Sequence, residues 1–191
     1  MKTLPKILIT GAPGVGKTQL LQGIADTVLG VKAAGIQAAG ILSVEQQDKK
    51  GRSNYVLKTL DGREEVFAIT GKGRGNRVGK YQVDVEAFES LALDAIGFHA
   101  GTDLYVIDEI GPMQTLSRIF SETAKMLLKK DEVAVVASVS RQGRGFIREV
   151  KRMAGVDTLE LNEDNFRELL EQISKELLRA FAERSKASPS P

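Results

Sequence analysis

Residues 11 to 18 read Gly-Ala-Pro-Gly-Val-Gly-Lys-Thr, which brings three glycines, a lysine and a hydroxyl side chain into one short segment. This is the Walker A pattern G-x-x-x-x-G-K-[ST], in which backbone N–H groups surround phosphate oxygens. Glycine permits the unusual backbone conformations of such a turn, and Pro13 stiffens it. We therefore expect a phosphate-binding loop made of Gly11, Ala12, Pro13, Gly14, Val15, Gly16, Lys17 and Thr18.

The two polar side chains of this loop have separate expected roles. Lys17 would reach the β- and γ-phosphates, and the Thr18 hydroxyl would take one coordination site of Mg²⁺. A helix that begins near Lys17 adds its free N–H groups and the positive end of its dipole. The other interpretation, a glycine-rich turn that ends in Lys-Thr by chance, is disfavoured because an apolar strand pattern precedes the segment and an amphipathic helix pattern follows it.

An acidic pair, Asp108-Glu109, follows the apolar run Leu104-Tyr105-Val106-Ile107. Asp108 fits the residue that holds Mg²⁺ through a water, and Glu109 could orient the attacking water or accept its proton. Such a pair can also be a helix cap or a solvated turn, but its combination with a phosphate loop favours catalysis. The candidate catalytic residues are thus Glu109 and Lys17, and the candidate metal ligands are Thr18 and Asp108.

Phosphoryl transfer also needs positive charge near the transition state besides the metal. The candidates are Arg77, in the glycine-rich basic segment 71–77, and Arg141 and Arg144, just beyond the apolar run 133–139. Segment 71–77 is either a solvated loop or a mobile arm that approaches the phosphates. The sequence leaves open which arginine acts.

The elements that must position these residues alternate along the chain. We predict strands at 4–10, 78–83, 104–107, 133–137 and 158–161, and helices after Gly16, after Asp84, between residues 116 and 128, and after Asn162. Short β-rich runs between residues 40 and 69 indicate an inserted antiparallel hairpin or meander. This order predicts an α/β fold whose mostly parallel sheet is covered on both faces, with ligands at the carboxyl ends of the strands.

Length and composition narrow the class of protein. The 191 residues favour one domain, 1–184, followed by a disordered tail, 185–191. A net charge of +2 gives no electrostatic argument for membrane or nucleic-acid partners, and nucleic-acid binding stays open. Without cysteine there is no disulfide and no catalytic thiol. Because no targeting or membrane-spanning pattern is visible, we expect a cytoplasmic protein without a membrane partner. We also expect a monomer.

Several separated segments together resemble the THEP-type nucleoside-triphosphatases, a family of P-loop proteins. The matching segments are the phosphate loop, the strand from Gly40 to Glu45, Arg77-Val78-Gly79-Lys80-Tyr81-Gln82-Val83, Val106-Ile107-Asp108-Glu109-Ile110-Gly111, Met113, Ser117, Phe120 and Asn165. The resemblance implies a three-layer P-loop fold with an additional strand before the Asp108 strand, between it and the phosphate-loop strand. It also implies Mg²⁺-dependent hydrolysis of ATP, GTP and other nucleoside triphosphates, with Glu109 as the catalytic glutamate.

Three positions near the expected site depart from this family pattern. Gln19 replaces a second hydroxyl residue after Thr18, Gln114 replaces a carboxylate after Gly111, and Phe166 replaces an arginine after Asn165.

Two other functions stay open at this stage. One is a nucleotide or small-metabolite kinase, in which the arginines of segment 141–148 would cover the phosphates. The other is a nucleotide-dependent switch or RNA-associated binding module that acts through Lys72, Arg74 and Arg77. The adjacent pair Asp108-Glu109 favours hydrolysis over the kinase because it suits activation of water.

Overall fold

The computed structural model describes residues 3–32, 35–49, 51–71 and 75–187. Strands and helices alternate through most of this part of the chain. The strands are β1 (Lys6–Gly11), β2 (Ala38–Gln47), β3 (Ser53–Thr59), β4 (Glu64–Thr70), β5 (Asn76–Val78), β6 (Tyr81–Val83), β7 (Leu104–Ile110), β8 (Ala134–Val139) and β9 (Asp157–Leu161). The helices are α1 (Lys17–Gly30), α2 (Val85–Ile96), α3 (Arg118–Lys129), α4 (Phe146–Val150) and α5 (Phe166–Ala187), with a 3₁₀ turn at Gln114–Leu116.

All the strands named above join one sheet in the order β5-β6-β4-β3-β2-β7-β8-β1-β9. The half from β2 to β9 is parallel, and β3, β4, β6 and β5 continue it as an antiparallel meander. The predicted meander is therefore an extension of the main sheet. The additional strand predicted between the phosphate-loop strand and the Asp108 strand is β8, which lies between β1 and β7 in the sheet but follows β7 in the chain.

Helices cover both faces of the sheet. Helices α1 and α5 pack on one face, where Ile7 and Ile9 of β1 are buried, and α2, α3 and α4 pack on the other, where Leu8 is buried. The alternation along β1 is the period of two expected for a strand covered on both sides. The predicted three-layer α/β architecture is confirmed. Among the described residues, none of the helices has both the length and the hydrophobicity of a membrane span.

The predicted strand 78–83 was wrong as a single strand. It consists of β5 and β6, separated by a turn at Gly79, where φ is +57°. A glycine accepts this left-handed conformation without strain, so the chain reverses there and pairs with itself.

The ends of the last helix also differ from the prediction. Helix α5 begins at Phe166, because Asn162 Oδ1 accepts hydrogen bonds from the backbone N–H groups of Asp164 and Asn165 and holds a turn before the helix. The helix reaches Ala187, so residues 185–187 are helical and not part of a tail. The remaining residues of the predicted tail, 188–191, lie outside the described residues.

Lys6 at the start of β1 is buried, with 3% of its surface exposed, and its Nζ donates to the backbone oxygens of Lys130, at 2.6 Å, and Val133. Burial lowers the pKa of Lys6 from 10.5 to about 8, although the negative charges of Asp131 and Glu132 act to raise it. Between these two values the unfolded chain binds more protons than the folded protein, so folded-state stability rises with pH.

We expect the free energy of unfolding of the wild type to rise by roughly 1–3 kcal/mol relative to Lys6→Met between about pH 7.5 and pH 10. Urea titrations of the two proteins at matched pH values measure this difference. A difference that stays constant over that range would contradict the assigned titration.

Candidate active site

The phosphate loop connects β1 to α1 at the carboxyl edge of the parallel strands. Gly16, which immediately precedes α1, has φ of +100°, a conformation that favours glycine. Lys17 Nζ donates to the backbone oxygens of Gly11, at 3.3 Å, and Ala12, at 3.1 Å. The ammonium group therefore lies over the loop, next to the N-terminus of α1, where anions bind.

Asp108 on β7 is a buried carboxylate of the site, with 2% of its surface exposed. Its Oδ2 accepts hydrogen bonds from Thr18 Oγ1 at 2.6 Å and from the Ser43 backbone N–H at 3.2 Å, and its Oδ1 accepts from the Ser138 hydroxyl. Burial raises the pKa of Asp108, the Ser138 and Thr18 hydrogen bonds oppose that shift, and the charge of Glu109 adds to it. Groups from α1, β2 and β8 thus converge on one carboxylate.

Glu109 lies at the edge of the same site and is partly buried. Its Oε1 accepts a hydrogen bond from Ser140 Oγ at 2.6 Å, and Ser140 follows the end of β8. The two acidic residues therefore have different environments, since Asp108 is enclosed and Glu109 faces the cavity.

The cavity has a volume of about 800 Å³, which is in the range of small-molecule sites. It brings together both predicted motifs. Its lining residues are Gly11, Ala12, Pro13, Gly14, Gly16, Lys17, Thr18, Gln19, Ser43, Val44, Glu45, Tyr55, Asp108, Glu109, Ser140, Arg141 and Gln142. Val15 is the one member of the predicted loop that does not line the cavity, because its side chain packs against the apolar core of α1 and α5.

The three predicted arginines are not equivalent in the structure. Arg141 lines the cavity, and its guanidinium forms an exposed ion pair with Glu160 at 3.3 Å. Arg144 and Arg77 are not among the lining residues, and Arg77 Nε donates to the Gly79 backbone oxygen at 3.2 Å. Residues 72–74, which the mobile-arm and RNA-binding hypotheses require, lie outside the described residues.

The three departures from the family pattern all adjoin the site. Gln114 is buried, and its Nε2 donates to Ser43 Oγ at 3.2 Å. Gln19 lines the cavity. A Cβ placed on Gly16 would lie 3.7 Å from the Phe166 ring, so this ring packs beside the end of the phosphate loop.

Sequence reasoning missed three serines that hold the acidic pair. Ser43 lies within β2, Ser138 within β8 and Ser140 just after β8, and each contacts Asp108 or Glu109. Hydroxyl residues at the carboxyl ends of apolar strands were the available signal, because those ends meet at one edge of a parallel sheet.

Sequence reasoning also missed the wall that β2 and the meander contribute to the cavity. Glu45 and Tyr55 line the cavity, and the Tyr81 hydroxyl donates to Glu45 Oε1. Lys80 Nζ lies 3.6 Å from the same carboxylate. Burial raises the pKa of Tyr55 to about 12, and the negative charge of Glu45 contributes to this shift. This wall therefore consists of the neutral Tyr55 and of Glu45, whose carboxylate is paired with Tyr81 and Lys80.

A family model described as NTPase matches residues 6–174 of the chain. The chain belongs to this NTPase family. The predicted THEP-type resemblance is confirmed by relatives of similar length. Nucleoside-triphosphatase THEP1 of Thermotoga sp. (strain RQ2) is 35% identical over 170 residues, which cover 88% of this chain and 92% of the relative. The THEP1 of Pyrococcus abyssi is 34% identical over 176 residues, which cover 91% and 95%.

Two solved structures support the same family. The crystal structure of THEP1 from Aquifex aeolicus has a TM-score of 0.74 and 28% identity, and the match covers 88% of this chain and 96% of that one. The solution structure of a human cancer-related nucleoside triphosphatase has a TM-score of 0.70 and 28% identity, covering 90% and 96%. This member of the NTPase family therefore shares the fold of these two proteins over most of their length.

Proposed function

We propose that this NTPase-family protein hydrolyses nucleoside 5′-triphosphates, ATP and GTP among them, to the diphosphate and phosphate in a Mg²⁺-dependent reaction. The observation that carries the proposal is the 2.6 Å contact between Thr18 Oγ1 and Asp108 Oδ2, which joins the phosphate loop to the acidic strand. Glu109 lines the same cavity. The site therefore combines phosphate binding with a group able to act on water.

Phosphate binding is expected to supply most of the affinity for substrate. The backbone N–H groups of the loop and the N-terminus of α1 suit the phosphate oxygens, and Lys17 would exchange its contacts with the Gly11 and Ala12 oxygens for β- and γ-phosphate oxygens. Base edges contribute less in such a site, so we infer loose selectivity among nucleobases.

The donor set fits Mg²⁺, because a threonine hydroxyl and a carboxylate are the hard oxygen ligands that this ion prefers beside phosphates. Thr18 and Asp108 would hold the ion, directly or through water. Burial disfavours the charged form of Asp108, and a cation would stabilise that form. When bound, the ion would supply neutralisation of the β- and γ-phosphate charge.

The chemical step that we propose is attack of water on the γ-phosphorus. The new bond joins the water oxygen to that phosphorus, and the bond from the γ-phosphorus to the β,γ-bridging oxygen breaks, so that the diphosphate leaves. Glu109 orients the water and accepts its proton, and Lys17 stabilises charge on the phosphate oxygens. Arg141 is the candidate for additional positive charge because it lines the cavity.

Phosphate release from a nucleotide panel tests this function. We expect ATP and GTP to be converted to the nucleoside diphosphate and phosphate at comparable rates with Mg²⁺. The rate should fall to background in excess EDTA and recover when Mg²⁺ is restored. Added nucleoside monophosphates should leave the products unchanged, and labelled transfer to a monophosphate would instead indicate a kinase. Tight binding of Mg²⁺–ATP without phosphate release would contradict the proposal.

A further inference from the structure

We propose that Ser140 is a positioning residue that holds Glu109 in the orientation needed to act on water, and that Lys151 holds the turn that carries Ser140. The inference rests on the proposed function, because it concerns how the catalytic glutamate is kept in place. Neither residue belongs to the phosphate loop or to the pair that would hold the metal.

The hydrogen bond from Ser140 Oγ to Glu109 Oε1 measures 2.6 Å. Both residues line the cavity, so the contact lies at its wall. Among the described residues no donor contacts the other carboxylate oxygen, Oε2, which stays available for water. A glutamate has several rotatable bonds, and one hydrogen bond to a hydroxyl restricts which way its carboxylate faces.

Gly111 brings these two side chains together. A Cβ placed on Gly111 would lie 3.0 Å from Glu109 Cδ and 3.1 Å from Ser140 Oγ. These distances are shorter than ordinary contacts, so the carboxylate and the hydroxyl meet over a backbone that has no side chain. The Glu109 carboxylate is therefore bounded by Gly111 on one side and tied to Ser140 on another.

The backbone of Ser140 is itself held from two directions. Its N–H donates to the Ile110 backbone oxygen on β7 at 3.2 Å. Lys151 Nζ, from the residue after α4, donates to the backbone oxygens of Ser140 at 2.6 Å and Arg141 at 2.9 Å. The lysine thus ties the start of the glycine-rich turn 141–145 to α4, at the point where the chain leaves β8.

This arrangement separates positioning from substrate binding. Loss of the Ser140 hydroxyl leaves the phosphate loop, Thr18 and Asp108 intact, so ground-state binding should be retained. It allows Glu109 to rotate away from the water, and a misplacement of about 1 Å costs up to roughly 100-fold in rate. The signature of positioning is therefore a lower kcat with an unchanged KM.

Steady-state phosphate release with Mg²⁺–ATP gives the first test. We expect Ser140→Ala to lower kcat by about 10- to 100-fold with KM within about twofold of wild type, and Ser140→Thr to recover most of the rate because it restores a hydroxyl. Ser90→Ala, an exposed serine on α2, is the matched control and should behave as wild type. A wild-type kcat for Ser140→Ala, or an equal loss in Ser140→Thr, would overturn the inference.

A double-mutant cycle tests whether Ser140 acts through Glu109. In a Glu109→Gln background, Ser140→Ala should cause no more than about a twofold further loss, because the group that it positions no longer accepts a proton. A further loss as large as in the wild-type background would overturn the inference. If Glu109→Gln alone has the wild-type rate, the proposed catalytic role fails; if it is inactive and Ser140→Ala is normal, only the positioning role fails.

Lys151→Met provides a second variant that does not touch Glu109. We expect a smaller fall in kcat, about three- to tenfold, with KM unchanged, because the turn is loosened and the hydroxyl is kept. Lys175→Met, an exposed lysine on α5, is its control. Urea unfolding of each variant shows whether it is folded. A folded Lys151→Met protein with the wild-type kcat would overturn the role given to this lysine.

Discussion

Replacement of Glu109 by glutamine is expected to lower kcat for phosphate release by about 100- to 10,000-fold, which is the usual contribution of a positioned acid or base. The amide has nearly the same shape as the carboxylate, but it does not accept a proton from water at neutral pH. Its oxygen could still accept the Ser140 hydrogen bond that Oε1 accepts in the wild type. The fall in kcat would therefore reflect the loss of proton transfer and water orientation more than a change in side-chain packing.

Nucleotide binding should survive this substitution. We expect the Kd of Glu109→Gln for Mg²⁺–ATP, measured by calorimetry, to stay within about threefold of wild type, because the interaction acts mainly in the transition state. Lys17→Ala should instead lose affinity as well as rate, since Lys17 would bind phosphate in both states. Glu122→Gln, an exposed glutamate on α3, is the matched control. Wild-type phosphate release by Glu109→Gln would contradict the assigned role.

Substitution of Gly40 by alanine is expected to destabilise the fold by about 4 kcal/mol or more, at the upper end of single-mutation effects. Gly40 has φ of +146° and pairs with Val106 across the parallel strands β2 and β7. A Cβ at this position would lie 1.9 Å from the Val106 backbone oxygen. Because the clash is with backbone, the two strands would have to separate.

Urea unfolding of Gly40→Ala measures this loss. Gly30→Ala is the matched control, because a Cβ on Gly30 at the end of α1 meets nothing within 4 Å. The free energy of unfolding of this control should differ from that of wild type by no more than about 0.5 kcal/mol. Phosphate release should fall together with stability, since β2 also carries Ser43, whose N–H and hydroxyl both contact Asp108. A Gly40→Ala protein as stable as wild type would contradict the close approach of the strands.

Prediction from the sequence succeeded where the signal was local. The phosphate loop lies within eight consecutive residues, and its turn depends on the conformations of its own glycines. Asp108-Glu109 directly follows an apolar run, near the end of β7, and in a parallel sheet the carboxyl end of such a strand faces the ligand edge. These two rules were enough to place both motifs at one cavity, which the structure confirms.

Prediction was weaker where a contact joins distant parts of the chain. Arg77, Arg141 and Arg144 had similar local contexts, and only the path of the turn after β8 brings Arg141 to the cavity. The start of α5 was predicted too early because Asn162 resembles a helix cap, whereas its side chain holds a separate turn. Competing local hydrogen bonds of this kind are nearly equal in energy, so propensity does not choose between them.

The sequence by itself determined the phosphate loop and the acidic pair, because each is encoded by neighbouring residues with strict steric and chemical requirements. It also determined the family and the α/β class, because the order of short motifs and of strand and helix patterns can be read along the chain. Only the tertiary structure decided how the acidic pair is held. It brings Ser138 and Thr18 to Asp108, and Ser140 to Glu109, from elements far apart in the chain. The physical reason is that these contacts depend on the order β7-β8-β1 in the sheet, which long-range packing selects and local pattern does not encode.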